Sequence, residues 1–438
     1  MTEEGHRHSG LTRIDVHCSG FMLNKGFQTS WNDREVRMEK ILTIIDCNNF
    51  WSPSGGGVRR YHLQKLEYFK AHSHRYIFVM QDSRSYTEIL NTSTIIEHIA
   101  VPKIMGNWEY RFLYQSKPLK RIFEKYNPDV IEVGSPYLLP LLVKRAIKSL
   151  EKKPKLIAFW HADFPVTYVG RYFEKWGKGL EDLSEKVAWG YARWMFRYFS
   201  GFLVSSPYIG KRMQENGLKP IFDAPLGVDT KLFHPSQKDL EKVEKIKAGH
   251  KERLTIFFPH RFCQEKGLKT LLEAYPLLCQ RLSVEPALVF AGTGPSLERV
   301  KEAVKDYKHI HYLGFIKSRD EMASWYASCE LGLALSGHET FGLSILESMA
   351  SGQILVGANT GAAQEHIQNS QAGVTVPLGE ADLLVEGILS LISKTDGLSK
   401  KARDYAQKFT WENCFKRENK IYESLLEQHS EKGTSTSF

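Results

Sequence analysis

The stretch HETFGLSILESMASG, from His338 to Gly352, indicates both the fold of this chain and the place of its chemistry. The short apolar run LGLAL, Leu331 to Leu335, comes before it and has the pattern of a buried strand. Apolar residues then recur at helical spacing from Phe341 to Ala350. We therefore expect a strand, a loop and a helix, with Glu339 in the loop and Glu347 about two turns inside the helix.

The two glutamates are too far apart to act together on one bond. At a rise of roughly 1.5 Å per residue, their separation along a helix is about 12 Å, whereas the carboxylates of a glycosidase lie roughly 5 to 9.5 Å apart. They can instead contact distant parts of one long ligand, with helix N–H groups meeting an anion between them. A nucleotide diphospho-sugar has that layout. The structural alternative is a capping box, for which Ser344 and Glu347 have the right spacing.

This segment resembles the acidic signature of the GT4 family of retaining glycosyltransferases, also called glycosyl transferases group 1. The match continues through Gly361, Ala362, Ala363, Glu365, Ala372 and Gly373. The resemblance covers residues 41–428 and is strongest from 254 to 376. It implies an α/β protein of the GT-B type, in which two Rossmann-like domains face a central cleft. It also implies the retaining transfer of a hexose from a nucleotide-sugar, with no metal ion and no other cofactor.

Length and composition are those of an ordinary soluble protein. The 438 residues suffice for two or three domains, and 42% hydrophobic with 25% charged residues is typical of globular chains. No apolar run approaches the roughly 18 to 20 residues of a membrane span. The first residues, MTEEGHRHSG, lack a signal-peptide core, so we expect a cytoplasmic protein. The six cysteines are too widely spaced for a metal or redox motif.

The positive charge is concentrated in the first half of the chain. Residues 1–235 carry 34 Lys and Arg against 24 Asp and Glu, whereas residues 236–438 carry 25 against 26. This half is therefore a candidate for contact with an anionic acceptor or with the inner face of an acidic membrane. A merely solvated basic surface is the alternative. We expect no nucleic-acid partner, because no recognition motif accompanies the charge.

Strands alternate with helices along most of the chain, which predicts parallel sheets. Together with the resemblance, this predicts five segments. They are an irregular extension (1–40), an N-terminal acceptor-side Rossmann-like domain (41–235), a C-terminal nucleotide-sugar-binding domain (236–408), a helix crossing back to the first domain (409–428) and a disordered tail (429–438).

Gly56 and Gly57 belong to a glycine-rich loop between the strand Ile41 to Asp46 and an amphipathic helix. Backbone amides in such a loop can approach a phosphate closely, although the spacing is neither a dinucleotide fingerprint nor a Walker motif. A flexible turn is the alternative. In the resembled family a glycine pair here closes over the donor, which makes the following Arg59 and Arg60 candidate anion contacts.

His161 follows the apolar strand LIAFW. It thus lies at the carboxyl end of a predicted parallel strand, where open α/β sheets bind ligands. A structural histidine is the alternative. The family resemblance implies a histidine at this strand end that lies near the hydroxyls of the donor sugar.

Arg261 and Lys266 lie in a loop between a strand and a helix in the second half. Two cations at a strand's carboxyl end suit a diphosphate, and surface charges are the alternative. The family has an arginine and a lysine at the same spacing, which grip the donor diphosphate, and its backbone meets the nucleobase at the position of Ile316. This sequence departs from the family at His260, usually glycine, and at Leu335, commonly proline.

Two further segments have helical periodicity, from Trp108 to Tyr126 and from Asp182 to Phe199. In the second, Val187, Tyr191, Trp194 and Tyr198 share one stripe beside a narrow basic edge. Such a helix can lie on an anionic membrane. A core helix with a solvated cationic edge is the alternative that we favour.

The resemblance assigns a role to each candidate residue. Arg261, Lys266 and the helix N-terminus stabilise the leaving diphosphate of a UDP- or GDP-hexose, Glu347 accepts from the ribose hydroxyls, and Glu339 with His161 holds the sugar. The predicted donor-binding set is Gly56, Gly57, Arg261, Lys266, Ile316, Glu339, Thr340, Phe341, Gly342, Leu343 and Glu347. The acceptor is a glycan, a lipid-linked group or another anionic molecule. A nucleotide-sugar epimerase of the same architecture and a non-catalytic nucleotide-binding subunit are the alternatives.

Overall fold

A computed structural model describes residues 40–51, 56–103, 111–174, 176–392 and 397–433. The predicted extension, residues 1–40, therefore lies outside the described residues except for Lys40. From Ile41 onwards, the described residues form one compact unit that contains two sheets.

The first sheet has eight strands in the order β3-β4-β2-β1-β5-β6-β7-β8. All neighbours in it are parallel except β3 and β4. Its strands are β1 Thr43–Cys47, β2 Arg75–Asp82, β3 Tyr86–Ile89, β4 Thr94–Ala100, β5 Val130–Val133, β6 Lys155–Phe159, β7 Gly201–Val204 and β8 Ile221–Asp223. The associated helices are α1 Gly57–Lys70, α2 Lys117–Tyr126, α3 Leu139–Ala146, α4 Arg171–Glu174, α5 Lys178–Phe196 and α6 Pro207–Glu215.

The second sheet has six parallel strands in the order β11-β10-β9-β12-β13-β14. They are β9 Thr255–Pro259, β10 Ala287–Ala291, β11 Ile310–Tyr312, β12 Leu331–Ala334, β13 Ile354–Ala358 and β14 Gly373–Val376. The remaining helices are α7 Leu240–Lys247, α8 Leu268–Arg281, α9 Leu297–Asp306, α10 Arg319–Ser328, α11 Leu343–Ala350, α12 Gly361–Ser370, α13 Ala381–Ile392, α14 Leu398–Ala406 and α15 Trp411–Gly433.

The central strands read as continuous apolar runs because helices cover both faces of each sheet. All residues of β10, β12 and β13 are buried. Leu331 of β12 lies opposite Ile354 of β13 on one side and Ile256 of β9 on the other. The run LGLAL is thus the buried strand that the sequence predicts, and it carries the loop of Glu339 to the carboxyl edge of the sheet.

The last helix, α15, packs against α1 of the first sheet through a buried charged cluster. Lys65 of α1 lies 2.9 Å from Glu132 of β5, 3.4 Å from Asp46 of β1 and 3.0 Å from Glu418 of α15, and all four side chains are buried. Burial disfavours the charged ammonium, but the surrounding carboxylates outweigh it and raise the pKa of Lys65. These contacts hold the C-terminal helix on the N-terminal sheet.

Three sequence-based boundaries are corrected. The helix predicted from Trp108 begins at Lys117, because Lys117-Pro118 supplies the proline of a first turn; residues 104–110 lie outside the described residues. The helix predicted from Asp182 begins at Lys178 and ends at Phe196. Residues 429–433, predicted as disordered tail, continue α15, since no helix breaker precedes Gly433.

Candidate active site

A cavity of about 920 Å³ lies between the loops at the carboxyl ends of the two sheets. Its volume is in the range of ligand-binding clefts, roughly 300–1,000 Å³. Every residue that the sequence nominates lines it: Gly56, Gly57, His161, Arg261, Lys266, Ile316, Glu339, Thr340, Phe341, Gly342, Leu343 and Glu347. They come together because the loops after β1, β6, β9, β11 and β12 all open towards one cleft.

The loop of Glu339 is fixed from both sides of the cleft. The Ser206 hydroxyl donates to the Thr340 carbonyl at 2.6 Å, and the Thr340 hydroxyl donates to the His161 carbonyl at 3.2 Å. A ring nitrogen of His366 lies 2.7 Å from the Phe341 carbonyl. These contacts hold Thr340 and Phe341 outside the helix.

The helix α11 therefore starts later than the periodicity predicts. Gly342 is its N-cap at φ +80°, a conformation in which a side chain would be strained, and an added Cβ would meet Ile345 at 2.5 Å. The first helical residue is Leu343, so Glu347 lies about one turn inside the helix rather than two. Leu343 and Ser344 of this first turn line the cavity, and the first N–H groups of a helix have no intrahelical partner.

Lys266 and Glu339 form an ion pair, with the Lys266 Nζ 2.7 Å from the Glu339 Oε2. Burial opposes the charge on both groups, but their mutual attraction outweighs it. It raises the pKa of Lys266 and lowers the pKa of Glu339. At neutral pH the ammonium donates and the carboxylate only accepts hydrogen bonds.

Glu347 is buried and pairs with Arg60, which comes from α1 on the opposite side of the cleft. The capping-box alternative is wrong, because Gly342 occupies the cap and Ser344 lies inside the helix. Burial is the main cause that lowers the pKa of Arg60 to about 10, and the positive charge of the nearby Arg319 is the second. The Arg60 guanidinium therefore remains charged at neutral pH.

The His161 ring is stacked on Phe159, with centroids 4.3 Å apart. Its Nε2 is buried and has no hydrogen-bond partner among the residues that the structure describes. Burial, reinforced by the neighbouring His62, lowers the pKa of His161 well below its usual value. His161 is therefore a neutral imidazole with one unused polar atom.

Asp163, two residues further on, has a different environment. It is buried and pairs with Arg212 of α6, whose Nε lies 3.0 Å from its carboxylate. Burial raises the pKa of Asp163 to about 6 and outweighs the opposing effect of Arg212.

The two residues that depart from the family pattern, His260 and Leu335, are accommodated by contacts with neighbouring residues. A ring nitrogen of His260 lies 2.9 Å from the Leu333 carbonyl of β12. Leu335 packs against Gly267, which has φ +74° and where an added Cβ would lie 2.5 Å from the Leu335 Cβ. Neither residue disturbs the approach of Lys266 to Glu339.

The cavity is strongly cationic. Its described lining includes six cationic side chains and two carboxylates, and each carboxylate already has a cationic partner. The cations are Arg59, Arg60, Arg261, Lys266, Lys317 and Arg319. Sequence reasoning missed Arg319; its position at the first turn of α10, after the capping Ser318, was the available signal.

Arg261 is exposed and has no ion-pair partner within the described part of the chain. The space beside Gly56 is also unoccupied, since a Cβ added there would meet nothing within 4 Å. A Cβ added to Gly57 would lie 3.3 Å from the Leu343 side chain. The glycine loop and α11 thus approach each other across the cavity. Among the described residues there is no group of three or more His, Cys, Asp or Glu arranged to hold a metal ion.

Comparison with known proteins identifies this architecture. Residues 55–232 match Glycosyltransferase Family 4, and residues 240–409 match Glycosyl transferases group 1. The chain belongs to the GT4 family of glycosyltransferases.

Two curated relatives match over most of their length. The GDP-mannose-dependent alpha-(1-6)-phosphatidylinositol dimannoside mannosyltransferase of Mycobacterium tuberculosis is 24% identical over 85% of this chain and 94% of its own. A GDP-mannose-dependent alpha-mannosyltransferase of Corynebacterium glutamicum is 25% identical over 78% of this chain and 74% of its own. Among solved structures, a glycosyltransferase from Rickettsia africae superposes with a TM-score of 0.66 at 20% identity, over 88% of this chain and 99% of that one.

These findings confirm the predicted family and the GT-B fold. The chain is a glycosyltransferase that uses a nucleotide-sugar donor. Among the helices that the structure describes, none combines the length and hydropathy of a membrane span.

Proposed function

We propose that this protein transfers a mannosyl group from GDP-mannose to a lipid-linked acceptor, with retention of anomeric configuration and without a metal ion. The carrying observation is that the Lys266–Glu339 pair and His161, which come from different sheets, line one cationic cavity. The two curated relatives are named as GDP-mannose-dependent, and one is named for a phosphatidylinositol dimannoside. This supports the choice of donor and of acceptor class.

The donor diphosphate binds where the positive charges converge. Arg261 offers a planar fork, Lys266 a point charge, and the first turn of α11 offers N–H groups. The ion pair with Glu339 holds Lys266 in place before the reaction begins, and the helix fixes its own N–H groups. They stabilise the negative charge that develops on GDP as the glycosidic bond breaks, which is the role that a metal ion has in other transferases.

The hexose lies between the two sheets. The ionised Glu339 accepts hydrogen bonds from sugar hydroxyls, and the neutral His161, which lines the same cavity, bonds to another. Glu347 accepts from the ribose hydroxyls once Arg60, which lines the same cavity, turns from it towards the diphosphate. Ile316 and the glycine loop of Gly56 and Gly57 enclose the base and the phosphates.

The proposed step keeps the acceptor and the leaving group on one face of the sugar. The acceptor oxygen bonds to the anomeric carbon as the bond from that carbon to the β-phosphate oxygen breaks. That phosphate oxygen takes the proton of the acceptor hydroxyl, so no protein base is needed. The two carboxylates of the cavity are each paired with a cation, which argues against either serving as a free nucleophile.

The test is transfer of radiolabelled hexose into an organic-extractable acceptor from a polar-lipid extract, with EDTA present. We expect label from GDP-mannose but not UDP-glucose, and an α-linked product by NMR of the anomeric proton. A β-linked product, or label only after a divalent ion is added, contradicts the mechanism. Conversion of the donor to another nucleotide-sugar without acceptor would instead indicate the epimerase.

A further inference from the structure

The helix α5, Lys178–Phe196, has two apolar stripes and only one of them is covered. Ala188, Ala192 and Met195 are buried against the first sheet. The other stripe, which we call the α5 face, is exposed, with Val187 at 65% and Trp194 at 49%. It consists of Leu180, Leu183, Val187, Tyr191 and Trp194, together with Tyr198 in the turn that follows the helix. The alternative favoured from the sequence, a core helix, therefore accounts for only half of the apolar surface.

The α5 face is continuous and narrow. At 100° per residue its six members fall within an arc of about 80° on the helix surface. Tyr172 and Trp176, on the segment just before α5, are exposed at 61% and 53% and extend the apolar surface at its N-terminal end. Large aromatic side chains combined with aliphatic ones are typical of surfaces that lie at a membrane interface.

Cations border this face along one edge. Lys186, Arg193 and Arg197 project beside the stripe, and Arg197 lies over the rings of Trp194 at 5.1 Å and Tyr198 at 4.4 Å. From Val187 to Tyr198 the sequence contains two arginines and neither Asp nor Glu. An apolar stripe with a basic border is complementary to a bilayer with negatively charged headgroups.

The first turn of α5 lies near the proposed transfer site. Glu181 and Thr167 line a second cavity of about 380 Å³, whose opposite wall includes Lys269 and His338. His338 directly precedes Glu339, and the lining residues Glu265 and Gly267 flank Lys266, so this cavity adjoins both members of the Lys266–Glu339 pair. A polar headgroup held at a bilayer surface against α5 would therefore meet the protein next to its reaction centre.

We propose that the α5 face is the surface by which this protein docks on an anionic phospholipid bilayer. The inference deepens the proposed function and rests on its lipid-linked acceptor. Docking brings the second cavity to the lipid surface, and it makes use of the positive charge that is concentrated in the first half of the chain.

The test is flotation of the full-length protein with vesicles of phosphatidylcholine alone or mixed equally with phosphatidylglycerol. We expect at least tenfold tighter binding to the anionic vesicles, and weakening as salt is raised. Lys186→Glu/Arg197→Glu should weaken binding at least about 25-fold, since each basic residue near such a surface contributes about fivefold and each introduced carboxylate is repelled. Val187→Glu/Trp194→Glu should abolish it, because carboxylates replace the inserted apolar groups.

The matched controls lie on the second sheet's domain. Leu240→Glu changes a residue that is more exposed than Val187, and Lys305→Glu reverses a surface charge on α9; both should bind vesicles like the wild type. Equal binding to neutral and anionic vesicles, or unchanged binding of Val187→Glu/Trp194→Glu, overturns the proposal. Absence of vesicle binding by the wild type also overturns it and leaves the α5 face to a protein partner.

Stabilisation by GDP, measured in parallel, separates this proposal from the proposed function. The α5 variants should keep the wild-type thermal shift, because the α5 face lies outside the donor cavity. Vesicle binding without any nucleotide stabilisation would refute the donor assignment and leave docking intact. Nucleotide stabilisation without vesicle binding would refute the docking proposal and leave the donor assignment intact.

Discussion

Replacing Lys266 by alanine separates the two functions that we assign to the Lys266–Glu339 pair. A charge-assisted hydrogen bond from the ammonium to a phosphate contributes about 1.5–3 kcal/mol. In the free protein that ammonium already bonds to Glu339 at 2.7 Å, so part of this gain is offset on binding. We therefore expect Lys266→Ala to weaken GDP binding by about 1.5–2 kcal/mol, a factor of roughly 10 to 30.

Glu339→Gln should act in the opposite direction on binding. Glutamine keeps the shape but removes the negative charge that competes with the diphosphate for Lys266. GDP affinity should be unchanged or higher, while hexose transfer is lost because the ionised acceptor of sugar hydroxyl hydrogen bonds is gone. The crossed pattern distinguishes a diphosphate-binding lysine from a merely structural ion pair.

The assay is isothermal titration with GDP at pH 7.5 for the wild type and both variants. Their thermal unfolding serves as the control for folding. Both partners are about a quarter exposed, 22% and 27%, so the pair itself should contribute no more than about 1 kcal/mol to stability. GDP affinity of Lys266→Ala within twofold of the wild type would refute the reasoning, as would equal weakening by both variants.

Three other predictions concern neighbouring groups. Glu347→Gln frees Arg60 for the diphosphate but leaves a weaker acceptor for the ribose hydroxyls. In calorimetric titration, the ratio of the affinity for GDP to the affinity for inorganic pyrophosphate should therefore fall about tenfold. An unchanged ratio contradicts the ribose contact. Lys65→Met leaves three buried carboxylates without their cation and should lower the free energy of unfolding in urea by about 3–5 kcal/mol, whereas the control Lys70→Met, at an exposed pair, should change it by less than about 1 kcal/mol. The raised pKa of Asp163, about 6, stabilises the fold at low pH, and this contribution is lost as the pH rises through 6. Relative to Asp163→Asn, the wild type should therefore lose up to about 3 kcal/mol between pH 4 and pH 7.5; a difference independent of pH would contradict the shift.

Part of the set of cavity residues follows from one topological fact, and the rest from the family resemblance. Loops after parallel strands emerge at the same edge of a sheet, so residues at strand ends are brought together without knowledge of the packing. This is why Arg261 and Glu339, which follow β9 and β12 of the second sheet, line one cavity; that His161 of the first sheet joins them is implied by the family resemblance alone. The central strands themselves are predictable from their continuous apolar runs, because a strand that is buried on both faces has apolar residues at successive positions.

What the sequence misses depends on contacts between distant segments. The late start of α11 follows from hydrogen bonds of Thr340 to the other side of the cleft, and the partner of Glu347 is Arg60, 287 positions away. The strand Tyr86–Ile89 is exposed along its whole length, so it has no hydrophobic pattern to detect. Helical periodicity shows that α5 has two apolar stripes, but only tertiary packing decides which of them is buried.

The central claim is that one donor molecule bridges the two sheets in this cavity. Its most direct test is amide hydrogen exchange measured with and without GDP-mannose. The account predicts slower exchange at both walls, in residues 56–64 of α1 and its loop and in residues 339–347 around α11, with no change in α9. Loss of this protection in Lys266→Ala would tie it to the diphosphate. Protection confined to one sheet, or located away from both segments, would contradict the account.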